Sequence, residues 1–353
     1  MNTYKHQGNR GLLDEENTLE KLSKMEDPLQ RMSSVVDFEM FRDVLESHLL
    51  STNKKSNAGA RPFDVVLMFK IMILQRYYGL GDRQTEYQIL DRASFKRFLG
   101  LESGDKVPDE KTIRAFREKL TKKDAVEELF ALFHQHLETE GLIINEGKIV
   151  DASFVIAPRQ RNSKEENRRI KEGEGQELWQ DTPHKKSHKD VDARWTKKNK
   201  ETFYGYKNHA KVDGRSKLAD FYVVTDASVH GSQALAALIG PEDRPQPLYA
   251  DSAYSGEPLK KAIRQRGMKN QVMEKGFKNK PLTGNQQKRN HRKSKTRARV
   301  EHVFGFMEQS MYGLLVKSIG IIRARATIGL INLTYSLCRF EQIFRLNILP
   351  IKQ

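Results

Sequence analysis

The stretch "KIVDASFVIA", residues 148–157, marks a change in the pattern of the whole chain. Its apolar and β-branched residues predict a buried strand, which a carboxylate, Asp151, interrupts. Residues 37–140 before it carry apolar side chains at helical spacing, whereas the residues after it read alternately as strand and helix. The sequence therefore predicts an all-helical region followed by an α/β domain with a mixed sheet.

The same patterns predict the boundaries of the regions. Three more strands are expected at "TFYGYKNHAKV" (202–212), "ADFYVVTDASV" (219–229) and "QPLYADSAY" (246–254), with a short one at "KNQVME" (269–274). Helices are expected between them and to the end of the chain. We predict a flexible arm (1–36), an all-helical domain (37–140) and an α/β domain (141–346) with a charged insertion (159–200).

The charge of the chain points to a polyanionic partner. The sequence has 62 Lys and Arg against 46 Asp and Glu, a net charge of +16. Nucleic acid is the first candidate, because each neutralised phosphate releases counterions, and a membrane surface is the competitor. The longest apolar runs are too short to span a membrane, and the start of the chain lacks the apolar stretch of a signal peptide. We expect a cytosolic protein without a membrane partner.

Two basic runs suggest where a nucleic acid binds. Residues 159–200 form the charged insertion, and residues 275–299 hold ten Lys or Arg and no Asp or Glu. A solvated loop is the simpler interpretation of either run, but two runs in one domain favour a channel that follows phosphates. On the helix predicted at 108–120, Arg114 and Arg117 lie opposite the apolar stripe, where they either contact a DNA groove or only face solvent.

Three acidic residues are candidates for chemistry. Asp151 and Asp251 each follow an apolar run, where a buried carboxylate needs a donor cluster, a cation or a metal ion. Glu301 lies in "TRARVEHVFGFMEQ" (296–309), whose apolar residues at i, i+3, i+4 and i+7 predict a helix. Each Asp alone also suits a cap, and Glu301 also suits a surface pair with Arg297. Together they suit divalent magnesium, which prefers oxygen ligands.

The segments "IVDAS", "YADSAY" and "RARVEHVFG", in that order after a helical region, resemble the bacterial insertion-sequence DDE transposases of the insertion-sequence-five type. The resemblance covers most of the chain, including "RPFDVVLMFKIMILQ", "DARWTKKNKETFYGYKNH" and "GLINLTYSLCRF". The family's third-acid signature is Tyr-x2-Arg-x3-Glu-x6-Lys. Arg297 and Glu301 fit it, whereas Ser294 stands in place of the tyrosine and Glu308 in place of the lysine.

The resemblance implies a ribonuclease-H-like fold in which Asp151, Asp251 and Glu301 bind two Mg²⁺ ions, with Mn²⁺ as the alternative. It implies a bacterial, nucleoid-associated DNA transposase that cleaves the element's ends and joins the 3′-hydroxyl to target DNA, acting as a dimer on terminal inverted repeats. A nuclease without strand transfer and a catalytically silent DNA-binding protein are the alternatives. The predicted DNA contacts are Arg114, Arg117, Lys207, Lys288, Arg289, Arg292, Lys293, Arg297 and Arg299.

Overall fold

The computed structural model describes residues 14–49, 61–102, 104–198, 200–240, 243 and 245–349. These residues form 15 α-helices and one six-stranded sheet. They divide into two compact units. The first lies within Met1–Gln75 and Leu80–Arg117, and the second lies within Arg76–Gly79 and Glu118–Gln353.

The N-terminal part of the chain is helical. Its helices in chain order are α1 (Asp14–Lys24), α2 (Pro28–Val35), α3 (Arg42–Leu49), α4 (Val65–Tyr77), α5 (Asp82–Asp91), α6 (Ala93–Leu99), α7 (Glu110–Lys122) and α8 (Ala125–Thr139). The stretch predicted as a flexible arm thus contains α1 and α2, and its first 13 residues lie outside the described ones. Asp27 caps α2 and pairs with Arg97 at 2.6 Å, and Leu29 and Met32 of α2 are buried.

Helix α4 contributes more buried apolar side chains to the first unit than any other helix described there. Asp64, just before it, accepts hydrogen bonds from the backbone N–H groups of Val66 and Leu67 at 2.9 and 3.0 Å, so the helix begins at a capping carboxylate. Phe69 is fully buried and lies 4.8 Å from Phe41, centroid to centroid. This apolar, all-round burial explains why α4 lacks the polar face of a surface helix.

The second unit is built on the sheet. Its strands are β1 (Lys148–Ile156), β2 (Arg194–Lys198), β3 (Glu201–Asp213), β4 (Ala219–Asp226), β5 (Pro247–Tyr249) and β6 (Lys269–Asn270). β3 is antiparallel to β1, β2 and β4, whereas β5 is parallel to both β1 and β6. This mixed order, preceded by helices, is the mixed sheet that the sequence patterns predict and the ribonuclease-H-like fold that the resemblance implies.

Seven helices follow β1 along the described part of the chain. They are α9 (Lys164–Lys171), α10 (Pro183–Ser187), α11 (Gly231–Leu238), α12 (Glu257–Gln265), α13 (Gly284–Arg297), α14 (Arg299–Gln309) and α15 (Ile321–Arg345). Leu235 of α11 and Ile263 of α12 pack with Val150 and Leu248 of the sheet in one apolar cluster. Asn332 of α15 exchanges hydrogen bonds with Asn208 of β3. No helix in the described residues is long and apolar enough to cross a membrane.

A cluster of charged side chains is buried beside these helices. The Nζ of Lys148 lies 2.9 Å from Asp220, and the Nζ of Lys211 lies 3.0 Å from Asp220 and 2.7 Å from Asp243. His134 lies 2.8 Å from Asp220. We call the following residues the buried ion cluster: His134, Lys148, Lys211, Asp213, Asp220 and Asp243.

Two local predictions were wrong. A solvated loop is the simpler interpretation of the basic run 275–299, but α13 occupies most of it and begins with a capping box between Thr283 and Gln286. The insertion 159–200 contains β2, which pairs along the first residues of β3. β2 has no buried residue, so it lacks the alternation by which a half-buried strand is recognised.

Candidate active site

The register of two neighbouring parallel strands brings Asp151 and Asp251 together. Ile149 of β1 pairs with Tyr249 of β5, and each aspartate lies two residues further along its chain. Because parallel strands run about 4.8 Å apart, the two aspartates lie close enough for the charge of Asp251 to raise the pKa of Asp151. Asp251 also caps a short 3₁₀ turn, accepting a hydrogen bond from the backbone N–H of Ala253 at 2.8 Å.

Glu301 is connected to this pair through an arginine. α13 ends at Arg297 and α14 begins at Arg299, so Glu301 lies in the first turn of α14, one turn after Arg297. One guanidinium nitrogen of Arg297 donates to Glu301 at 2.8 Å, and the other donates to Asp151 at 3.2 Å. The Glu301 side chain is 63% exposed, whereas Arg297 and Asp151 are 20% and 18% exposed.

The helix position of Glu301 follows from the apolar stripe. The residues at i, i+3, i+4 and i+7 of α14 are buried, as the spacing predicts: Val300, Val303, Phe304 and Met307. This stripe holds α14 against β1 and leaves Glu301 on its shoulder. The pairing of Glu301 with Arg297, which is one of the two interpretations of the sequence, is present in the structure. The sequence did not predict that Arg297 also pairs with Asp151.

The environment disfavours ionisation of Asp151. Burial raises the pKa of its carboxyl, Arg297 lowers the pKa, and the nearby Asp251 raises it again, with a net upward shift. Tyr254, in the 3₁₀ turn after Asp251, responds in the same direction: burial raises the pKa of its phenol, and both aspartates raise it further. Its hydroxyl is buried without a hydrogen-bond partner among the described residues.

The residues suit a divalent metal by chemistry. Three carboxylates offer the oxygen ligands that Mg²⁺ prefers, and one arginine leaves their charge incompletely balanced. Within the part of the chain that the structure describes, no three acidic, histidine or cysteine side chains are grouped tightly enough to hold an ion. Arg297 lies between Asp151 and Glu301, where an ion shared by these carboxylates would have to bind.

The predicted DNA contacts of the helical region differ in their surroundings. Arg114 of α7 is 61% exposed and contacts Asp82 only at 3.4 Å. Arg117 is 23% exposed, and its guanidinium also contacts Asp82, with one N–O distance of 2.8 Å. That pairing holds the pKa of Asp82 at about 2, against the effect of burial. Arg117 therefore packs within the first unit, and Arg114 is the more accessible of the two.

The predicted contacts of the second unit also divide into two groups. Lys288 and Arg292 are exposed on α13, whereas Arg289 pairs with Glu274 at 2.8 Å and Lys293 donates to the carbonyl of Val272 at 2.8 Å. The other members have backbone partners: Lys207 donates to the carbonyl of Val229, and Arg299 donates to the carbonyl of Gly214.

Several residues near the site were not singled out from the sequence. Lys198 of β2 lowers the pKa of Asp151 and lies over the ring of Phe154, where Lys207 also lies. Phe154 stacks on Phe203 with 4.2 Å between ring centroids. The available sequence signal was that Lys198 follows an aromatic residue, Trp195, within the insertion. Because β2 was not predicted, the position of Lys198 over Phe154 of β1 was not predictable.

Aspartates beside two adjacent strands of a ribonuclease-H-like sheet, followed by a helix with a third acid, form the arrangement that the resemblance to DDE transposases implies. Residues 145–337, more than half of the chain, match the family described as Transposase DDE domain. Residues 17–119 match the family described as Transposase domain (DUF772). The chain therefore belongs to the DDE transposases, a family that depends on divalent metal ions.

One solved structure aligns with most of the chain. It is the cryo-EM structure of the piggyBac transposase synaptic complex with hairpin DNA, with a TM-score of 0.45 and 11% sequence identity. The alignment covers 94% of this chain and 78% of that chain. The family assignment rests on the two sequence families and not on this likeness.

Proposed function

We propose that this transposase cleaves DNA at the ends of its element and joins the freed 3′-hydroxyl to target DNA in the same site. The observation that carries the proposal is that Asp151 and Asp251 each lie two residues beyond the paired Ile149 and Tyr249 of β1 and β5, with Glu301 connected to Asp151 by Arg297. No side chain in this group is a nucleophile of the serine or cysteine type, so the protein contributes position and charge to an in-line phosphoryl transfer.

Asp151, Asp251 and Glu301 are the proposed ligands of two Mg²⁺ ions, with Mn²⁺ as the alternative. When bound, such ions neutralise charge on the phosphate and lower the pKa of an attacking water. The chain's own residues then hold the DNA strand. Lys198 lies close enough to Asp151 to affect its pKa, and Lys198 and Lys207 flank Phe154 further along β1, a surface suited to a phosphate and a base.

Double-stranded DNA, first the terminal inverted repeats and then the target, is the proposed partner, with the protein acting as a dimer. The net charge of +16 supports an extended contact with phosphates. Helix α13 supplies one part of it, since Lys288 and Arg292 are exposed there. The helical N-terminal region is proposed to bind the repeats, with Arg114 as the most accessible of its predicted contacts.

The test is a reaction on supercoiled plasmid DNA that carries the sequences flanking the gene, with and without Mg²⁺. We expect cleavage at the element's ends and joined products only with Mg²⁺. Cleavage without joined product would replace the proposal with a nuclease. Binding without cleavage at any Mg²⁺ or Mn²⁺ concentration would replace it with a catalytically silent DNA-binding protein.

The roles of the two DNA-contacting regions are tested separately. Arg114→Ala is expected to reduce the preference for terminal-repeat DNA over random DNA, because a base contact is worth about 1–3 kcal/mol of discrimination. Lys288→Ala with Arg292→Ala should weaken binding to both DNAs equally and lower the salt dependence. Lys119→Ala, an exposed charge loss on α7, is the control. Equal losses on both DNAs for Arg114→Ala would show that the repeat is recognised elsewhere.

A further inference from the structure

Arg297 is the cation that the acidic residues share. Its guanidinium donates to Glu301 at 2.8 Å and to Asp151 at 3.2 Å, so it connects a strand of the sheet to a helix 146 positions further along the chain. Asp251 contributes to the electrostatics of Asp151 but forms no ion pair among the described residues. Arg297 thus occupies the position between two proposed metal ligands.

The hydrogen bonds of Arg297 are incomplete in this arrangement. Its Nε is buried and has no partner among the described residues, although both terminal nitrogens are paired. A buried donor without a partner destabilises the folded protein. An arginine fork also matches the two oxygens of a phosphate as well as it matches carboxylates. A phosphate can therefore satisfy the hydrogen-bond donors of the Arg297 guanidinium more fully than the two carboxylates do.

We propose that Arg297 is a positioning residue that holds Asp151 and Glu301 together in the metal-free protein and releases them when metal ions bind, which frees its guanidinium for the DNA contact that the resemblance already implies for it. This proposal rests on the proposed metal site. A divalent ion and the guanidinium carry the same sign of charge and compete for the same two carboxylates. Metal binding and the contact of Arg297 with DNA are therefore coupled, and each favours the other.

The first test measures metal affinity without DNA or catalysis. Free Mn²⁺ is followed by electron paramagnetic resonance during titration of the full chain. Arg297→Gln removes the competing charge, so its Mn²⁺ affinity should rise on the order of tenfold. Arg297→Lys keeps the charge but not the two-pronged contact, and its affinity should lie between those of wild type and Arg297→Gln. Lys295→Gln removes an exposed charge from the same helix and should leave the affinity unchanged.

The outcomes separate this proposal from the proposed function. Suppose that Arg297→Gln binds Mn²⁺ as wild type does or more weakly, and that Asp251→Asn loses Mn²⁺ binding. The metal site would then stand, and the proposed competition between Arg297 and the metal ion would be contradicted. Absence of Mn²⁺ binding in both wild type and Arg297→Gln would remove the metal site itself. Circular dichroism is used to check that each variant is folded before titration. If Arg297→Gln does not fold, Arg297→Lys takes its place in the test.

The second test measures the coupling with DNA. Fluorescence anisotropy gives the affinity for a labelled duplex with Ca²⁺ and with chelator, conditions that report binding alone. In wild type, Ca²⁺ should tighten DNA binding. In Arg297→Gln the fold-change produced by Ca²⁺ should be smaller, because the residue that metal releases is absent, while Lys295→Gln should keep the wild-type fold-change. An equal effect of Ca²⁺ in wild type and Arg297→Gln would contradict the coupling.

Discussion

The buried ion cluster and the acidic site, which comprises Asp151, Asp251, Glu301 and Arg297, both combine carboxylates with cations in the second unit. In the buried ion cluster every carboxylate contacts a lysine: Asp220 contacts two, and Asp213 and Asp243 contact one each. In the acidic site a single arginine serves two carboxylates, and Asp251 forms no ion pair among the described residues.

The pKa values of Asp220 and Asp151 shift in opposite directions, in line with this difference in the number of cations. Burial would raise the pKa of Asp220, but His134, Lys148 and Lys211 hold it well below its usual range. Burial also raises the pKa of Asp151, and there Arg297 does not overcome burial and the neighbouring Asp251, so the pKa stays above its usual value. Similar burial therefore gives opposite shifts, because the number of nearby cations differs.

The difference teaches what each group is suited to do. With two lysines and a histidine for three aspartates, the buried ion cluster is closer to charge balance than the acidic site and serves to hold strands and helices together. A cluster with too few cations stores a cost in the folded protein and attracts positive charge, which a divalent ion supplies. The contrast is tested by changing one carboxylate in each group. The same effect on cleavage or stability in both groups would contradict it.

The largest expected effect is on cleavage. Asp251→Asn should lower the rate of strand cleavage by about 10³-fold or more, since metal ions contribute several kcal/mol to such a step and each 1.36 kcal/mol is a factor of ten. DNA affinity should stay near that of wild type or rise, because a negative charge beside the phosphates is removed. Cleavage and anisotropy assays on the same duplex give both values.

Glu257→Gln is the matched control for Asp251→Asn. Glu257 lies in the first turn of α12 and pairs only with Lys260 among the described contacts, at 3.3 Å. It should cleave at the wild-type rate. Wild-type cleavage by Asp251→Asn as well would reduce Asp251 to the cap of its 3₁₀ turn, and the difference between the two charged groups would lose its functional meaning.

The next effect is on stability, and it differs in sign between the two groups. Asp220→Asn should lower the free energy of unfolding by about 3–5 kcal/mol, because it leaves buried lysines with too few partners. Asp151→Asn makes the same chemical change at a carboxylate whose ionised form is disfavoured, so the free energy of unfolding should equal or exceed that of wild type. Urea unfolding at neutral pH with chelator measures both. A loss of similar size in the two variants would show that the acidic site is structural.

Much of this organisation follows from sequence patterns. The change from helical to alternating patterns at β1 identified the α/β domain, and the spacing of Val300, Val303, Phe304 and Met307 identified α14. These features are local, because one face of a strand or helix must be apolar to be buried. The edge strand β2 and helix α13 were missed because both are polar on nearly every side.

The contacts that decide the chemistry of the two groups were less predictable. A lysine at the start of "KIVDA" or within "NHAKV" reads as a surface residue, yet Lys148 and Lys211 are among the most buried charged residues described. Lys148 lies 72 positions from Asp220, and Lys211 lies 32 positions from Asp243, so only the packed fold brings these pairs together. The contact between Arg297 and Asp151 is of the same kind, since it depends on where α13 ends relative to β1.

The smallest expected effect is on the pH dependence of stability. The folded pKa of Asp220 is lowered, so its stabilisation is fully present above the unfolded pKa of about 3.9 and is lost as pH falls below that value. The folded pKa of Asp151 is raised, so its ionisation costs stability as pH rises from about 3.9 through the folded pKa. The free energy of unfolding, measured between about pH 3 and 6 with chelator, should fall less steeply on acidification in Asp220→Asn than in wild type. In Asp151→Asn it should fall more steeply over the upper part of this range, because a carboxyl that gains stability on protonation is absent. Parallel curves for wild type and both variants would mean that the two carboxylates titrate alike, and the electrostatic contrast between the two groups would be withdrawn.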